Sequence, residues 1–229
     1  MKPYTQTLIA FSLTCAVLSV QAQGAFQNLD FEAANLSPIP SGQYGGFVSS
    51  LDGIPGWTGF IGTNQLTQVV HNAVSTGNAS IDILGPYWSF GGIIEGQYTV
   101  DIQPGRDPFV VNGQNVSASI SQVGLVPANA QSLRFTASPL DGFAVSLEGQ
   151  TLSLVTIGTG PYYATYGANI SSFAGQTAAL TFTALAQFNT TYYIDSIQFS
   201  NLPIPEPGVF GLSALGALLL GWRALGGRR

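Results

Sequence analysis

The sequence predicts an all-β protein: a two-sheet antiparallel β-sandwich of the jelly-roll kind, with an N-terminal signal-peptide helix and a C-terminal single transmembrane helix. Three observations predict it. Across the middle of the chain, short alternating segments rich in Thr, Val, Ile and aromatics recur every 8–15 residues, set apart by Gly, Pro, Asn and Asp. No long segment there carries the 3.6-residue period of a helix. Each end of the chain carries an apolar run with a basic flank, the pattern of export and membrane segments.

Taken in order, residues 1–22 read as a signal peptide. Lys2 supplies the positive start, Leu8–Val20 the apolar run, and Val20-Gln21-Ala22 the small residues for cleavage after Ala22. Residues 23–202 form the sandwich domain. Its expected strands are Phe26–Glu32, Trp57–Ile61, Leu66–His71, Ala79–Leu84, Gln97–Gln103 and Val116–Val123, then Ser132–Ser138, Phe143–Leu147, Thr151–Val155, Tyr162–Ala168, Ala178–Ala184 and Thr191–Ser200. Alternation points Tyr98, Val100 and Ile102 to one face, and likewise Leu133, Phe135 and Ala137. Glu148-Gly149-Gln150 reads as a hairpin turn. Asn169–Gly175 reads as one helical or 3₁₀ turn. Residues 203–229 hold a proline-rich spacer, an uncharged run from Gly208 to Trp222, and an arginine-bearing end. That run is 15 residues, short of the roughly 20 that span a bilayer, so it crosses only if Arg223 snorkels. Arg228 and Arg229 would hold the tail at the cytoplasmic face.

Charge narrows the function further. Between the two targeting segments only Arg106 and Arg134 stand against ten acids. A body so acidic does not hold phosphate backbones, which excludes general nucleic-acid binding, and it is repelled by anionic lipid surfaces. A single Cys (Cys15) and a single His (His71) exclude disulfides, Cys/His zinc sites and Cys–His nucleophile pairs. No nucleophile elbow, phosphate loop or spaced carboxylate pair is visible, so no catalytic residue is expected and the protein is read as a non-enzyme.

The C-terminal order Pro205-Glu206-Pro207, apolar helix, then Arg223, Arg228 and Arg229 resembles the PEP-CTERM sorting signal of Gram-negative bacteria. That resemblance covers only residues 203–229. It implies recognition and cleavage by an exosortase, a transient stay in the inner membrane, and delivery to the cell surface or extracellular polymeric matrix.

A second set of residues spans the body: Asn28-Leu-Asp-Phe-Glu32, Ile54-Pro-Gly-Trp57, Ile170-Ser-Ser-Phe-Ala-Gly-Gln176, Leu180-Thr-Phe-Thr183 and Tyr193-Ile-Asp-Ser-Ile-Gln-Phe199. In this order they resemble galactose-binding-like jelly rolls, including carbohydrate-binding modules, whose first and last strands lie side by side. The resemblance implies a structural Ca²⁺ held by Asp30, Glu32 and Asp195. Ser196 stands where that pattern has a second Asp. It also implies extracellular polysaccharide as partner, stacked on exposed aromatic faces. Tyr87 and Trp88, in the Gly/Pro-rich loop from Gly85 to Gly92, are the expected platform, because loops carry binding residues. Tyr162, Tyr163 and Tyr166 are a second group, while Trp57 is expected in the core. A closed surface with the aromatics buried would instead mark a structural matrix protein without a sugar site. Two facing carboxylates in a cleft would mark a polysaccharide hydrolase.

Overall fold

A computed structural model describes residues 24–73, 77–88, 91–187 and 190–204. The signal peptide, the Pro205-Glu206-Pro207 tripeptide, the apolar tail and Arg223, Arg228 and Arg229 lie outside the described residues. Among those that are described, no helix is long and apolar enough to cross a membrane.

The strands are β1 (Phe47–Ser49), β2 (Thr58–Ile61), β3 (Asn64–Gln65), β4 (Gln68–His71), β5 (Ser80–Leu84), β6 (Thr99–Gln103), β7 (Gly105–Arg106) and β8 (Asn115–Val116). They continue as β9 (Ala118–Leu125), β10 (Ser132–Ala137), β11 (Phe143–Leu147), β12 (Gln150–Thr151), β13 (Val155–Thr159), β14 (Ala164–Asn169), β15 (Thr177–Ala184) and β16 (Tyr192–Ser200). A one-turn helix, α1 (Ser50–Gly53), and a 3₁₀ turn at Ser171–Phe173 complete the described elements. An eight-stranded sheet runs β1-β4-β5-β6-β16-β10-β14-β13, and a six-stranded sheet runs β12-β11-β15-β9-β2-β3. The short pair β7-β8 stands apart from both. All pairings between strands are antiparallel except β4 with β5, which run parallel; the sequence expectation of a purely antiparallel sandwich is corrected on this point. Because β5 enters from the same end as β4, the two are joined by a crossover and not by a hairpin.

Alternation fills the space between the sheets. Val100 and Ile102 of β6, Leu133, Phe135 and Ala137 of β10, and Ile194 of β16 are fully buried from one side. Ala118 and Ile120 of β9 and Leu180, Phe182 and Ala184 of β15 meet them from the other. An aromatic cluster joins the sheets: Phe182 lies edge-on to Phe135 at 5.2 Å and to Trp57 at 6.0 Å. The β11–β12 hairpin closes on Glu148 and Gly149, with φ of 49° and 72°. Both central residues are therefore left-handed, the geometry that suits the twist of a two-residue hairpin.

The expected first strand, Phe26–Glu32, does not form. Only Ala25 bridges to Leu125, and the chain then turns. Asn28 and Phe31 have φ of 48° and 60°, outside any strand. The Asn28 side chain explains the turn: its amide donates to the Pro55 carbonyl (2.9 Å) and its oxygen accepts from Ala33 N–H (2.9 Å). Short polar side chains that bond nearby backbone in this way compete with a strand ladder. The turn is fastened to the body by Trp57, whose indole donates to the Asn28 carbonyl at 2.9 Å, and by Phe31, which is fully buried.

Candidate ligand-binding groove

The larger sheet ends in a groove of about 440 Å³ at its β1-β4-β5 edge. Its walls come from three places. The strap at Gly45–Gly46 pairs with the end of β4, Gly45 N–H donating to the Asn72 carbonyl and His71 N–H to the Gly46 carbonyl. Residue 45 must be Gly, because a Cβ there would sit 1.8 Å from the His71 carbonyl oxygen. The Pro108–Phe109 turn forms a second wall, and β4 with the start of β5 forms the floor. Phe47 and Phe109 line the groove and are 74% and 59% exposed. Gln68, Ser80 and Asp82 bring polar groups to it.

Asp82 is the unusual residue. It is 3% exposed, and its Oδ2 accepts the Ala73 N–H at 3.1 Å, while its Oδ1 has no hydrogen-bond partner. Directly opposite it in the β5–β6 ladder stands Asp101, whose Oδ1 is equally buried and equally unpartnered. The row continues to Tyr193, opposite Asp101 on β16. Like charges directly across an antiparallel ladder repel, and burial raises the cost. Burial, reduced by the backbone bonds from Ala73 and Asn72, pushes the Asp82 carboxyl up to about 7. Burial and then the Asp82 charge push Asp101 well above the usual carboxylate range.

Strand alternation marks Asp82 and Asp101 only as polar positions. The signal that could have found them is the same apolar-Asp-apolar motif in two strands, Ile81-Asp82-Ile83 and Val100-Asp101-Ile102. The pair does not fit a glycosidase. Two carboxylates that flank a scissile bond must both face the cleft, about 5–10 Å apart. Asp82 lines the groove, Asp101 does not, and both stand on one side of it as ladder neighbours.

Tyr87 and Trp88 are not among the residues that line this groove. Tyr87 is 65% exposed with φ of 69°, and Trp88 is half-buried. Asn72 links their loop to the groove wall: its side chain accepts from Gly85 N–H (2.7 Å) and donates to the Pro86 carbonyl (3.2 Å). Tyr162 is exposed, whereas Tyr166 stacks on Phe135 at 5.7 Å. Trp57 is buried in the core, as its Pro-Gly-strand position predicts.

The three expected calcium ligands are only partly brought together. Glu32 Oε1 accepts the N–H groups of Gln97 (2.8 Å) and Tyr98 (2.9 Å). Asp195 Oδ2 accepts from Thr99 Oγ1 (2.6 Å) and Glu95 N–H (3.2 Å), and its Oδ1 from Ser196 N–H (2.6 Å). Asp30 turns away to the Glu32 N–H at 3.3 Å. Among the described residues no group of three His, Cys, Asp or Glu side chains could hold a metal ion. Calcium wants six to eight oxygens, and of the expected ligands Glu32 Oε1 and both Asp195 oxygens already accept N–H or O–H donors. Ser196, in place of the second Asp, instead has φ of 52° and donates its hydroxyl to Glu95 at 2.7 Å. The first and last segments are thus tied to the 93–98 loop by carboxylate–amide bonds. Glu32→Ala should lower stability by no more than about 1 kcal/mol, because Glu32 and Gln97 are exposed and water can take over the Gln97 amide while the Tyr98 amide loses its acceptor. Melting curves in excess calcium and in EDTA should coincide for the natural chain; a rise in Tm with calcium would restore the ion.

No family model matches the chain, and no curated protein matches it. Among solved structures it is similar to the enzymatically active domain of tailspike protein 4 from bacteriophage CBA120, with 13% identity, a TM-score of 0.38, and coverage of 73% of this chain but 21% of that one. It is also similar to a family 11 carbohydrate-binding module from Clostridium thermocellum, solved with a β-1,3-1,4-mixed-linked tetrasaccharide. There the identity is 10% and the TM-score 0.37, over 72% of this chain and 100% of that one. Likeness of this degree carries neither ligand nor activity to this chain.

Proposed function

We propose that this is an exported, non-catalytic β-sandwich protein, sorted through its C-terminal tail by an exosortase to the cell surface or matrix, where it binds extracellular polysaccharide. The observation that carries the binding is the groove at the sheet edge, with exposed Phe47 and Phe109 beside Gln68, Ser80 and Asp82. Sugar rings present C–H faces and hydroxyl edges, and aromatic plates beside polar groups suit both. Exposed Tyr87, on the loop that Asn72 holds at Gly85 and Pro86, offers a second aromatic face. The test is a polysaccharide array probed with the full-length chain in neutral detergent. Phe47→Ala with Phe109→Ala should weaken binding about tenfold, the loss of two aromatic contacts at roughly 0.5–1.5 kcal/mol each. Absence of binding to every glycan would overturn the reading in favour of a structural matrix role.

The sorting half rests on Pro205, Glu206 and Pro207 followed by the apolar run and Arg223, Arg228 and Arg229. Replacing Pro205-Glu206-Pro207 by three alanines should leave the tail uncut and the protein in the inner-membrane fraction. Normal processing of that variant would remove the exosortase from the account.

A further inference from the structure

Resting on the reading that the groove takes saccharide, we infer that its ligand is a hexosamine polymer with free amino groups, and that Asp82 receives the ammonium group. Four observations point to an amino sugar rather than a neutral or acidic one. First, Asp82 is 3% exposed, lines the groove, and holds one carboxyl oxygen without any hydrogen-bond partner. A buried acceptor left unpaired is costly, and a donor arriving from the groove would relieve that cost. A sugar hydroxyl would satisfy the atom and leave the charge; an ammonium satisfies both, in a charge-assisted bond about twice as strong as a neutral one.

Second, Asp101 stands next to Asp82 across the ladder, with its own unpartnered oxygen. Two carboxyl groups at one point of the sheet ionise more readily beside a cation, so an ammonium is favoured there over a neutral or anionic group. Third, no Lys or Arg is among the described residues that line the groove. Arg106 lies in a neighbouring hollow with Asp107 and Asn112. Fourth, exposed Phe47 and Phe109 line the same space. Aromatic faces attract cations and also take the C–H face of a pyranose, and an amino sugar offers both at once. A lysine side chain brings the cation but no ring face.

The test titrates the full-length chain in neutral detergent with hexaglucosamine, its fully N-acetylated form, cellohexaose and hexalysine. Hexaglucosamine should bind at least tenfold more tightly than each of the others, and Asp82→Asn should abolish that preference. The melting temperature of the variant, measured alongside, shows whether it is folded, and Asp82→Glu in the same series reports whether the charge alone restores the preference. Equal affinity for the aminated and acetylated oligomers overturns the amino-sugar assignment and leaves polysaccharide binding standing. Hexalysine binding as tightly as hexaglucosamine overturns it in favour of a cationic peptide partner. Binding of none of the oligosaccharides overturns the amino-sugar assignment, and the polysaccharide array then decides the broader reading.

Discussion

Asp82→Asn is expected to stabilise the protein at pH 8 and to leave it nearly unchanged at pH 4. At low pH the Asp82 carboxyl is protonated, and Asn is close to it in shape and in hydrogen-bonding capacity. The Asn oxygen keeps the Ala73 amide bond now made by Oδ2, and its Nδ2 can donate toward the unpartnered Asp101 oxygen opposite. At pH 8 the natural chain must hold the Asp82 charge in a buried site. The Asp82 carboxyl is pushed up to about 7 from 3.8, chiefly by burial. Each tenfold change in an acid constant is about 1.4 kcal/mol, so the gain at pH 8 is on the order of 4 kcal/mol. For a domain of this size that is a rise in Tm of roughly 8–16 °C. Thermal melts of both proteins across pH 4–8 would check it; curves that do not diverge between about pH 4 and pH 7 would show that Asp82 is not buried as described.

The direction of the pH dependence follows from the same groups. A carboxyl whose folded-state pKa is raised contributes stability that is fully present below the unfolded value and is lost as pH climbs through the folded one. Asp82, raised to about 7, and Asp195, raised to about 6 by burial, both act in that window above about 4. Asp101, also raised by burial and then by the Asp82 charge, acts in the same direction. Buried His71 works the other way, since burial lowers its pKa and its protonation costs stability as pH falls below about 6.5. Tyr193, opposite Asp101, is pushed up to about 12 by burial and then by the Asp101 charge, and so stays neutral throughout. The natural chain should therefore be most stable on the acid side of neutrality.

Much of the sandwich was legible because its strands alternate against a dry interior. The expected Phe143–Leu147 strand is β11 residue for residue, and the inward positions of β6 and β10 are those that alternation picks. Of the expected strands, Phe26–Glu32 failed because Asn28 bonds the Pro55 carbonyl and the Ala33 amide in place of a ladder, which no hydropathy pattern records, and Thr151–Val155 is strand only at its two end residues. Strands β3, β7, β8 and β12 are two residues each, too short to carry a period. The groove was illegible for a different reason. It depends on a parallel pairing of β4 with β5 and on a turn at Phe109 far along the chain. The Asp82–Asp101 pair likewise exists only in the register of two strands, while each residue alone reads as a solvent-facing polar position. Local patterns report which face a side chain takes; they do not report what stands opposite it.

Phe182→Ala is expected to be the most damaging single change in the core, at about 3–5 kcal/mol. Phe182 is fully buried on β15, and three aromatic rings surround it. Phe135 on β10 meets it edge-on at 5.2 Å, Trp57 at 6.0 Å and Phe143 on β11 at 6.5 Å. Phe135 belongs to the larger sheet and Phe143 to the smaller, so the ring cluster is where the two sheets are joined. These rings cannot collapse into the space left by an alanine without moving strands, so the cavity cost adds to the lost transfer energy. The loss would be a large fraction of the roughly 5–15 kcal/mol that stabilises an ordinary domain. Phe47→Ala is the control: that ring is 74% exposed, and its loss should cost no more than about 0.5 kcal/mol. Urea unfolding of the two variants separates the roles. A Phe182→Ala cost below about 1 kcal/mol would mean that the sheets are held together elsewhere. A full cost would also reach the first segment, because Trp57 carries the indole bond to Asn28 that fastens the turn holding Glu32.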